Sequence, residues 1–208
     1  MNIAVFSDKF SGTLSAIEVL DIVQNKFLGS NINADFFSVT DGGQESNEIF
    51  KSHNFQTHEN FEALNCDNSH SVVESLNING SVFFESAQLI GIDSKKESLS
   101  INTGCLLEAV QKTEVLGTGG SKTIDFGIGL LSKLGMEFIS NGETIVDPIP
   151  KDFPYIDRIK VSNFNSSLEN RILSDTNISL LGENSAFDVF GPQKLSLIHI
   201  SEPTRRTT

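Results

Sequence analysis

The chain has 208 residues, of which 38% are hydrophobic, and it carries a formal net charge of −12 at pH 7. This length and apolar content are sufficient for a buried core and allow one large domain or two small ones. Because the net charge is strongly negative, the sequence argues against electrostatic binding to nucleic acid or to an anionic membrane surface.

Cysteine usage and the N-terminal sequence both favour a cytoplasmic protein. Cys66 and Cys105 are far apart, lack the spacing of a metal site and are typical of reduced intracellular thiols. The first apolar run begins almost directly after Met1, which leaves no room for a signal peptide. No apolar run approaches the length that spans a membrane. We therefore expect a cytoplasmic location.

The first part of the chain alternates between strand and helix patterns. Residues 3–6 are a short apolar run typical of a buried strand, and the apolar spacing of residues 14–27 predicts a helix that stops at Gly29. A second strand is predicted over residues 34–39, and a polar loop and another helix follow it. This order is typical of a parallel α/β layer.

Polar loops follow both of these predicted strands. Asp8 lies just beyond the first strand, and Asp41 lies just beyond the second, next to Gly42 and Gly43. Because ligands bind beyond the carboxyl ends of parallel strands, we expect both loops to lie at the ligand-binding edge of the sheet. The alternative is that they are ordinary turns, since Asp, Gly and Ser are common in turns.

Residues 55–92 have a different pattern. Apolar and polar residues alternate loosely there, and Asn79-Gly80 is a hairpin turn signal directly before the apolar residues 81–84. We therefore predict a small antiparallel sheet that is inserted into the α/β layer.

A glycine-rich stretch over residues 115–129 joins the end of an apolar run to a helix pattern that stops at Gly135. A strand, a glycine turn and a helix in this order can bind an anion, because glycine permits close approach and the helix N-terminus offers unpaired N–H groups. Two sequence fingerprints of nucleotide-binding loops do not match this stretch. Ser121 replaces a glycine of the Walker loop, and Lys122 replaces the third glycine of the dinucleotide fingerprint. The alternative is a turn that needs glycine only for packing. Because all three loops follow predicted parallel strands, we expect the loops at Asp8, Asp41 and Gly117 to converge on one cleft.

The predicted fold is α/β with two lobes. The first is a Rossmann-like, three-layer lobe with a parallel sheet, and the second is a smaller, mostly antiparallel α+β lobe. Beyond Gly135 the sequence is irregular and proline-rich before strand patterns return at residues 158–161 and 171–175. The predicted boundaries are 1–52 and 98–140 for the first lobe, and 53–97 and 141–194 for the second.

Residues 195–208 are excluded from this fold prediction. The tail can be back-translated into one reading frame of a common transposon-library sequencing adapter. We interpret it as a non-native tail, so that the protein's own sequence stops near Lys194 and the predicted fold is truncated.

A series of motifs, in order along the chain, resembles those of bacterial type I glycerate kinases. The segment Phe190-Gly191-Pro192-Gln193-Lys194 matches its family counterpart fully. Gly119-Gly120-Ser121, together with Thr123 and Asp125, resembles the family's Gly-Gly-Ser-x-Thr-x-Asp segment. The other matching segments are residues 8–18, Asp41-Gly42-Gly43, residues 85–91, Asn102-Thr103-Gly104 and residues 174–182.

The chain also departs from the family pattern. Ser11 stands where the family has lysine, and Lys9 lies two residues earlier. Gln44 and Glu45 replace a Glu-Gly pair of the family, and Phe126 replaces a glycine. Whether Lys9 substitutes for the family lysine is left open by the sequence.

The resemblance implies an enzyme that phosphorylates D-glycerate to a phosphoglycerate, with ATP and Mg²⁺ as cofactors and glycerate as its small-molecule partner. This chemistry requires charge neutralisation and a group that orients or deprotonates the attacking hydroxyl. The implied catalytic residues are Asp8, Asp41 and Asp175. The implied substrate- or phosphate-binding residues are Lys9, Gly12, Thr13, Gly42, Gly43, Gly117, Gly119, Gly120, Ser121 and Lys194. The candidate metal ligands are Asp41, Asp125 and Asp175.

Two questions remain open within this interpretation. Asp41 and Asp175 are the first choices for the base, because each directly ends a predicted strand, but spacing does not decide between them. The product is either the 2- or the 3-phosphate, and the sequence does not indicate an oligomeric state.

Family members are longer and carry a later Gly-Glu-Gly-x-x-Asp element that this chain lacks. The resemblance therefore implies an N-terminal fragment, and we expect that the fragment itself is inactive. Two other interpretations are a decayed or truncated non-catalytic homologue and another nucleotide-binding α/β protein.

Overall fold

The computed structural model describes residues 2–10, 12–164, 168–174, 176–180, 182 and 185–195. Its strands are β1 (Asn2–Ser7), β2 (Asn33–Ser38), β3 (Gln56–Leu64), β4 (His70–Ile78), β5 (Ser81–Glu85), β6 (Val115–Gly117), β7 (Glu137–Ser140), β8 (Glu143–Thr144), β9 (Arg158–Lys160) and β10 (Arg171–Leu173). Its helices are α1 (Ala16–Phe27), α2 (Ser46–Ser52), α3 (Ala87–Ile90), α4 (Leu107–Lys112), α5 (Ile128–Lys133) and α6 (Ala186–Leu195), with 3₁₀ segments at Ser98–Ser100, Thr103–Leu106 and Pro150–Tyr155. In these ranges no helix combines the length and the apolar character needed to cross a membrane. The predicted non-native tail, apart from Leu195, lies outside the described residues.

The first unit of the fold is β1–α1–β2, as the sequence predicts. The two strands pair in parallel, with Phe6 opposite Phe37. Ser15 caps α1, because its hydroxyl accepts from the Glu18 N–H while the Glu18 carboxylate accepts from the Ser15 N–H. Gly29, with φ of +80°, follows the helix end. The predicted stop is therefore confirmed.

A five-stranded mixed sheet forms the centre of the molecule, in the order β10-β6-β5-β4-β3. Strands β3, β4 and β5 are antiparallel, and the Asn79-Gly80 turn between β4 and β5 has positive φ at both residues. This is the backbone of a two-residue hairpin turn, so the predicted antiparallel pairing is confirmed, although these strands are part of the mixed sheet and not a separate inserted sheet. Strand β6 runs parallel to both β5 and β10.

The sequence analysis expected β6 to share a sheet with β1 and β2, and this expectation is wrong. Strand β6 pairs with β5 and β10, whereas β1 and β2 pair only with each other among the described residues. Strand β5 lies between β4 and β6, and its consecutive residues Phe83 and Phe84 face opposite sides of the sheet and are both 0% exposed. Strand pairing depends on contacts between segments that are distant in the sequence, and apolar periodicity marks a strand without identifying its neighbours. The lobe boundaries themselves stay a prediction.

Helices cover the central sheet on both faces, which gives three layers. On one face α2 contributes Phe50, whose ring meets Phe83 edge-on at 5.1 Å. On the other face the segments from α3 to α4 pack on the sheet and close the main apolar core. That core consists of Phe61, Ala63, Cys66, Val73, Phe84, Leu89, Ile90, Ile101, Leu106, Ala109, Val110 and Leu116. The mixed α/β architecture agrees with the predicted fold class.

A separate antiparallel sheet of three strands has the order β8-β7-β9. The sequence analysis predicted β9 but described the stretch after Gly135 as irregular, which is wrong for β7 and β8. Strand β7 has only four residues, of which Phe138 and Ile139 are buried, and such a short run carries little periodicity. The hairpin turn at Asn141-Gly142 has positive φ at both residues and is the signal that marks these strands.

Candidate active site at the strand-end loops

The loop after β2 is fixed by hydrogen bonds within it. The Asp41 Oδ1 atom accepts a hydrogen bond from the Gly43 N–H at 2.8 Å, and the Thr40 hydroxyl accepts one from the Gly42 N–H at 3.1 Å. The Thr40 hydroxyl also lies 2.6 Å from that of Ser46, at the start of α2. These side chain-to-backbone bonds replace the pairing that a strand would provide. They hold the Asp41 carboxylate at the strand-end edge.

The glycine turn after β6 packs directly against this loop. A Cβ atom on Gly119 would lie 2.7 Å from the Gly43 Cα atom, and one on Gly43 would lie 2.9 Å from the Gly119 Cα atom. A Cβ atom on Gly117 would overlap the carbonyl oxygen of Gly42. The structure therefore brings together the two loops that the sequence analysis predicted to meet. It also gives these glycines a packing role.

The turn also retains groups that could bind an anion. The N–H groups of Gly119 and Gly120 donate to none of the described residues, whereas the Lys122 N–H donates to the carbonyl of Ile90 at 2.8 Å. Gly119 is half-buried and Gly120 is exposed, so their N–H groups are available to water or to a ligand. The packing role and the anion-binding role are therefore compatible.

The helix part of the predicted anion site does not form at this turn. Helix α5 begins only at Ile128, and the N–H groups of Gly127 and Gly129 donate to the Asp125 carboxylate at 3.0 and 3.2 Å. The sequence analysis expected this helix start to receive a ligand. The physical reason for the difference is that Asp125 already supplies the negative charge that a helix N-terminus attracts.

Asp125 is fully buried and bonded on both carboxylate oxygens. Its Oδ2 atom also accepts from the N–H and the hydroxyl of Thr103, at 2.6 and 2.8 Å. These contacts tie the segment at Thr103 to the start of α5. Because donors of this chain surround the carboxylate, the geometry favours a scaffolding role for Asp125 over metal binding.

Lys9 connects the loop after β1 to the loop after β2. Its Nζ atom lies 3.4 Å from Asp41 Oδ1 and donates to the carbonyl of Gln44 at 3.3 Å. The exposed Asp8 carboxylate accepts from the Lys9 N–H at 2.7 Å. All three loops therefore converge. Ser11, where the family has lysine, lies outside the described residues.

Gly12 and Thr13 lie in the exposed turn between β1 and α1. Gly12 has φ of +76°, and the Thr13 hydroxyl donates to the carbonyl of Phe10 at 2.8 Å. Within the described part of the chain, neither has a hydrogen bond to the loop at Asp41. Their predicted binding role stays a prediction.

Lys194 approaches the glycine turn from α6. Its Nζ atom donates to the Ser121 hydroxyl at 3.2 Å and to the carbonyl of Thr123 at 3.0 Å. Burial lowers the pKa of the Lys194 ammonium group below its ordinary value, because the charged form is desolvated. A cation predicted from sequence to lie at the phosphate site is thus placed beside Ser121.

Asp175 lies outside the described residues, so its predicted role stays a prediction. The strand that precedes it ends at the same edge as the loops above. The Leu173 carbonyl accepts from the Thr118 N–H at 3.2 Å, and a Cβ atom on Gly42 would lie 3.0 Å from Leu173 Cβ.

The sequence model of the glycerate kinase family matches residues 3–195 of this chain. The chain belongs to the glycerate kinase family. The glycerate kinase of Bacillus subtilis is 25% identical over 212 residues, which cover 93% of this chain and 56% of that protein. The glycerate kinase of Haemophilus influenzae is 34% identical over 83 residues, or 38% of this chain and 22% of that protein.

A solved structure has the same fold. A crystal structure from Salmonella typhimurium LT2 that carries the name glycerate kinase 2 superposes with a TM-score of 0.66 at 22% identity, and the match covers 94% of this chain and 57% of that one. The chain thus spans just over half the length of the glycerate kinases that it matches along nearly its whole length.

Sequence reasoning missed one buried carboxylate at this edge of the glycerate kinase fold. Glu85 ends β5 and is opposite Gly117 in register, and its Oε2 atom accepts from the Asn47 N–H at 3.0 Å. Burial raises the pKa of the Glu85 carboxyl above its ordinary value. The sequence did contain a signal for this carboxylate, because Glu85 is the last residue of an apolar strand run. Asp41 similarly lies just after such a run.

The residues at this edge fit a magnesium ion only as a partial ligand set. In the described ranges no three acidic, histidine or cysteine side chains are grouped as metal ligands. Mg²⁺, however, commonly takes one or two carboxylates and completes its octahedron with water and phosphate oxygens. Asp41 suits such a role, since its side chain is 27% exposed and its Oδ2 atom has no hydrogen-bond partner among the described residues.

Proposed function

We propose that this site belongs to a kinase that phosphorylates D-glycerate with ATP, and that the 208-residue chain alone provides an incomplete part of it. The observation that carries the proposal is the contact of the Asp41–Gly43 loop with the glycine turn, with Lys9 at one side and Lys194 at the other. Backbone donors, a carboxylate and two cations at one edge are the groups that phosphoryl transfer requires.

The glycine turn is the proposed phosphate site. The N–H groups of Gly119 and Gly120 can donate to phosphate oxygens, and the Lys194 ammonium group beside Ser121 adds a positive charge. Such local donors are necessary, because the chain as a whole has a net charge of −12 and repels an anionic ligand.

Asp41 is the carboxylate that we place next to the attacking hydroxyl of glycerate. Its orientation is fixed by the Gly43 N–H, and Lys9 lies beside it. Asp8 is a neighbouring candidate and Asp175 a further one, as predicted from the sequence. A bound Mg²⁺ ion would neutralise charge on the transferred phosphoryl group.

The chain alone is proposed to bind ligands without turnover. Phosphoryl transfer depends on positioning and charge stabilisation, so a partial cleft loses most of the rate. In the relatives, the part of the sequence outside the match is almost as long as the part that this chain matches. A cytoplasmic location and the absence of nucleic-acid and membrane partners remain part of the proposal.

The direct test is an assay of the purified 208-residue chain with ATP, Mg²⁺ and D-glycerate, together with calorimetric titration of ATP. We expect saturable ATP binding and no phosphoglycerate above a control without enzyme. A complete lack of ATP binding would contradict the proposed function. Steady turnover on the order of 1–100 s⁻¹, typical of kinases, would contradict the proposed incompleteness.

A second function, a non-catalytic homologue, is favoured by one observation. Phe126 has φ of +52°, a conformation that suits the glycine of the family pattern better than an aromatic residue. This alternative predicts no specific binding of ATP, so the same titration separates it from the kinase proposal.

A further inference from the structure

Glu85 links the central sheet to the helix that follows the Asp41–Gly43 loop. The residue ends β5, where it lies opposite Gly117 at the end of β6. Its Oε2 atom accepts a hydrogen bond from the N–H of Asn47 at 3.0 Å, and Asn47 lies in the first turn of α2. This helix begins only three residues after Gly43. One carboxyl group thus connects the strand beside the glycine turn to the segment that follows the loop.

The side chain of Glu85 is too deeply buried to act by touching a ligand. Glu85 is 6% exposed, whereas the Asp41 side chain at the open edge is 27% exposed. Burial raises the pKa of the Glu85 carboxyl, and hydrogen bonds from the main-chain N–H groups of Asn47 and Glu45 offset part of this rise. A buried acceptor that holds two main-chain donors fixes the backbone that carries them.

The backbone at Glu45 needs such support. Its φ is +75°, in the left-handed region that residues other than glycine rarely adopt. A residue in this conformation persists only where the surrounding structure holds it. The turn at Glu45 directs the chain from the loop into α2, and the N–H of Ser46 donates back to the carbonyl of Gly43 at 3.1 Å. The conformation of Glu45 therefore determines where Gly43 lies.

Gly43 connects this turn to both parts of the candidate site. A Cβ atom on Gly43 would lie 2.9 Å from the Gly119 Cα atom, so the two main chains are in contact. The Gly43 N–H also donates to the Asp41 Oδ1 atom at 2.8 Å. A shift at the start of α2 would therefore move the Asp41 carboxylate and loosen the packing on the glycine turn.

We propose that Glu85 is a positioning residue for the candidate phosphate site. Its carboxyl group accepts from the start of α2, holds Glu45 in the left-handed conformation and so keeps the Asp41–Gly43 loop against the glycine turn. The effect on ATP rests on the proposed function, whereas the effect on the loop does not. The apparent affinity for ATP falls with the fraction of molecules in which the loop is in place.

The competing role is a carboxyl group that stabilises the fold as a whole. That role predicts a lower stability of the entire protein, without a local change at Gly43 and Gly119 in the molecules that remain folded. Spectra of the ligand-free protein distinguish the two roles, because each main-chain amide reports its own surroundings.

The test combines ¹H–¹⁵N spectra of the ligand-free 208-residue chain with calorimetric titration of ATP. Glu85→Ala removes the acceptor, so it should shift the amides of Gly43 and Gly119 and weaken ATP binding by at least about tenfold. Glu85→Asp keeps the carboxylate but is shorter by one methylene group. It should shift the same amides, and it decides the question if the alanine variant does not fold.

Two variants should retain or restore the loop. Glu85→Gln keeps an acceptor at the same length, and its affinity for ATP should stay within about threefold of the wild type. Glycine adopts a left-handed φ without strain, so Glu45→Gly added to Glu85→Ala should return the amides of Gly43 and Gly119 towards their wild-type positions and recover at least about threefold in affinity. Glu62→Ala, at an exposed carboxylate on β3, is the matched control and should change neither readout.

The proposal is overturned if Glu85→Ala and Glu85→Asp leave the amides of Gly43 and Gly119 in their wild-type positions. It is also overturned if Glu85→Gln loses as much affinity as Glu85→Ala, or if Glu45→Gly restores nothing. A wild-type chain that binds no ATP would contradict the proposed function alone, because the ligand-free spectra still decide the role of Glu85.

Discussion

Gly119 and Gly43 touch through their main chains, so that neither position has room for a side chain. Gly119 is not in the left-handed region, so a substitution there is opposed by this contact and not by backbone strain. The two residues belong to loops more than 70 positions apart in the sequence. Their contact holds the Asp41 carboxylate beside the glycine turn.

Gly119→Ala should therefore destabilise the protein by about 2–3 kcal/mol, because the Gly43 backbone cannot give way without separating the loops. It should also weaken ATP binding. Gly80→Ala is the control, since nothing lies within 4 Å of a Cβ there, and its cost should be only about 1 kcal/mol from the left-handed φ. Urea unfolding measures both variants. Equal losses would show that the loop contact is unimportant for stability.

Phe126 combines a left-handed φ of +52° with a stack on Phe153 at 5.6 Å. Phe126→Ala and Phe126→Gly both remove the stack, but only glycine relieves the backbone strain. We expect the glycine variant to be about 1 kcal/mol more stable than the alanine variant. Thermal unfolding of the two proteins side by side gives this difference. An alanine variant of equal or higher stability would rule out strain at this position.

The burial of the Glu85 carboxyl leads us to expect that the stability of the protein depends on pH. Burial raises its pKa in the folded protein above the ordinary value of 4.5. The folded state then binds the proton more tightly than the unfolded state, so the contribution of Glu85 is fully present below the unfolded pKa. It is lost as the pH rises through the folded pKa.

Glu85→Gln keeps an acceptor for the Asn47 N–H but removes the buried charge. The variant should melt at a higher temperature than the wild type at pH 7.5, and the difference should shrink towards pH 4.5. Glu143→Gln, at an exposed carboxylate on β8, should show no such trend. Melting curves across this pH range are the measurement, and a variant that is less stable at pH 7.5 would mean that the Glu85 charge is favourably bound.

Lys194 should contribute to anion binding at the glycine turn. Lys194→Met removes the ammonium group beside Ser121 and should weaken ATP binding about tenfold, as expected for one charge-assisted hydrogen bond. The exposed Lys95 is a matched control, and Lys95→Met should leave the affinity within about twofold. Calorimetry gives both values. Equal effects would place the phosphate site elsewhere.

Local signals in the sequence were sufficient for most strands and for the convergence of the loops. The Asn79-Gly80 hairpin, the α1 stop at Gly29 and the strand before Asp41 all depend on a few neighbouring residues. The pairing of β6 with β5 depends on contacts between distant segments, so periodicity does not reveal it. This is why the sheet expected to unite β1, β2 and β6 does not form.

In the candidate site, too, local motifs were predictable from the sequence and contacts between distant segments were not. Asp41, Gly119 and Lys194 stand in recognisable motifs, and they lie together where the loop after β2 meets the glycine turn after β6. The scaffolding contacts of Asp125 could not be predicted, because they depend on where Thr103 lies in the fold. Glu85 was missed because a single carboxylate after a strand is common, and only its burial distinguishes it.

The central claim is that the glycine turn beside Asp41 binds the phosphates of ATP. The most direct measurement is a ¹H–¹⁵N correlation spectrum of the labelled 208-residue chain during titration with ATP and Mg²⁺. We predict that the largest saturable shifts occur at the amides of Gly119, Gly120 and Ser121, and that the Phe126 backbone strain does not prevent them. Shifts confined to residues away from this turn, or no saturable shifts at all, would contradict the account.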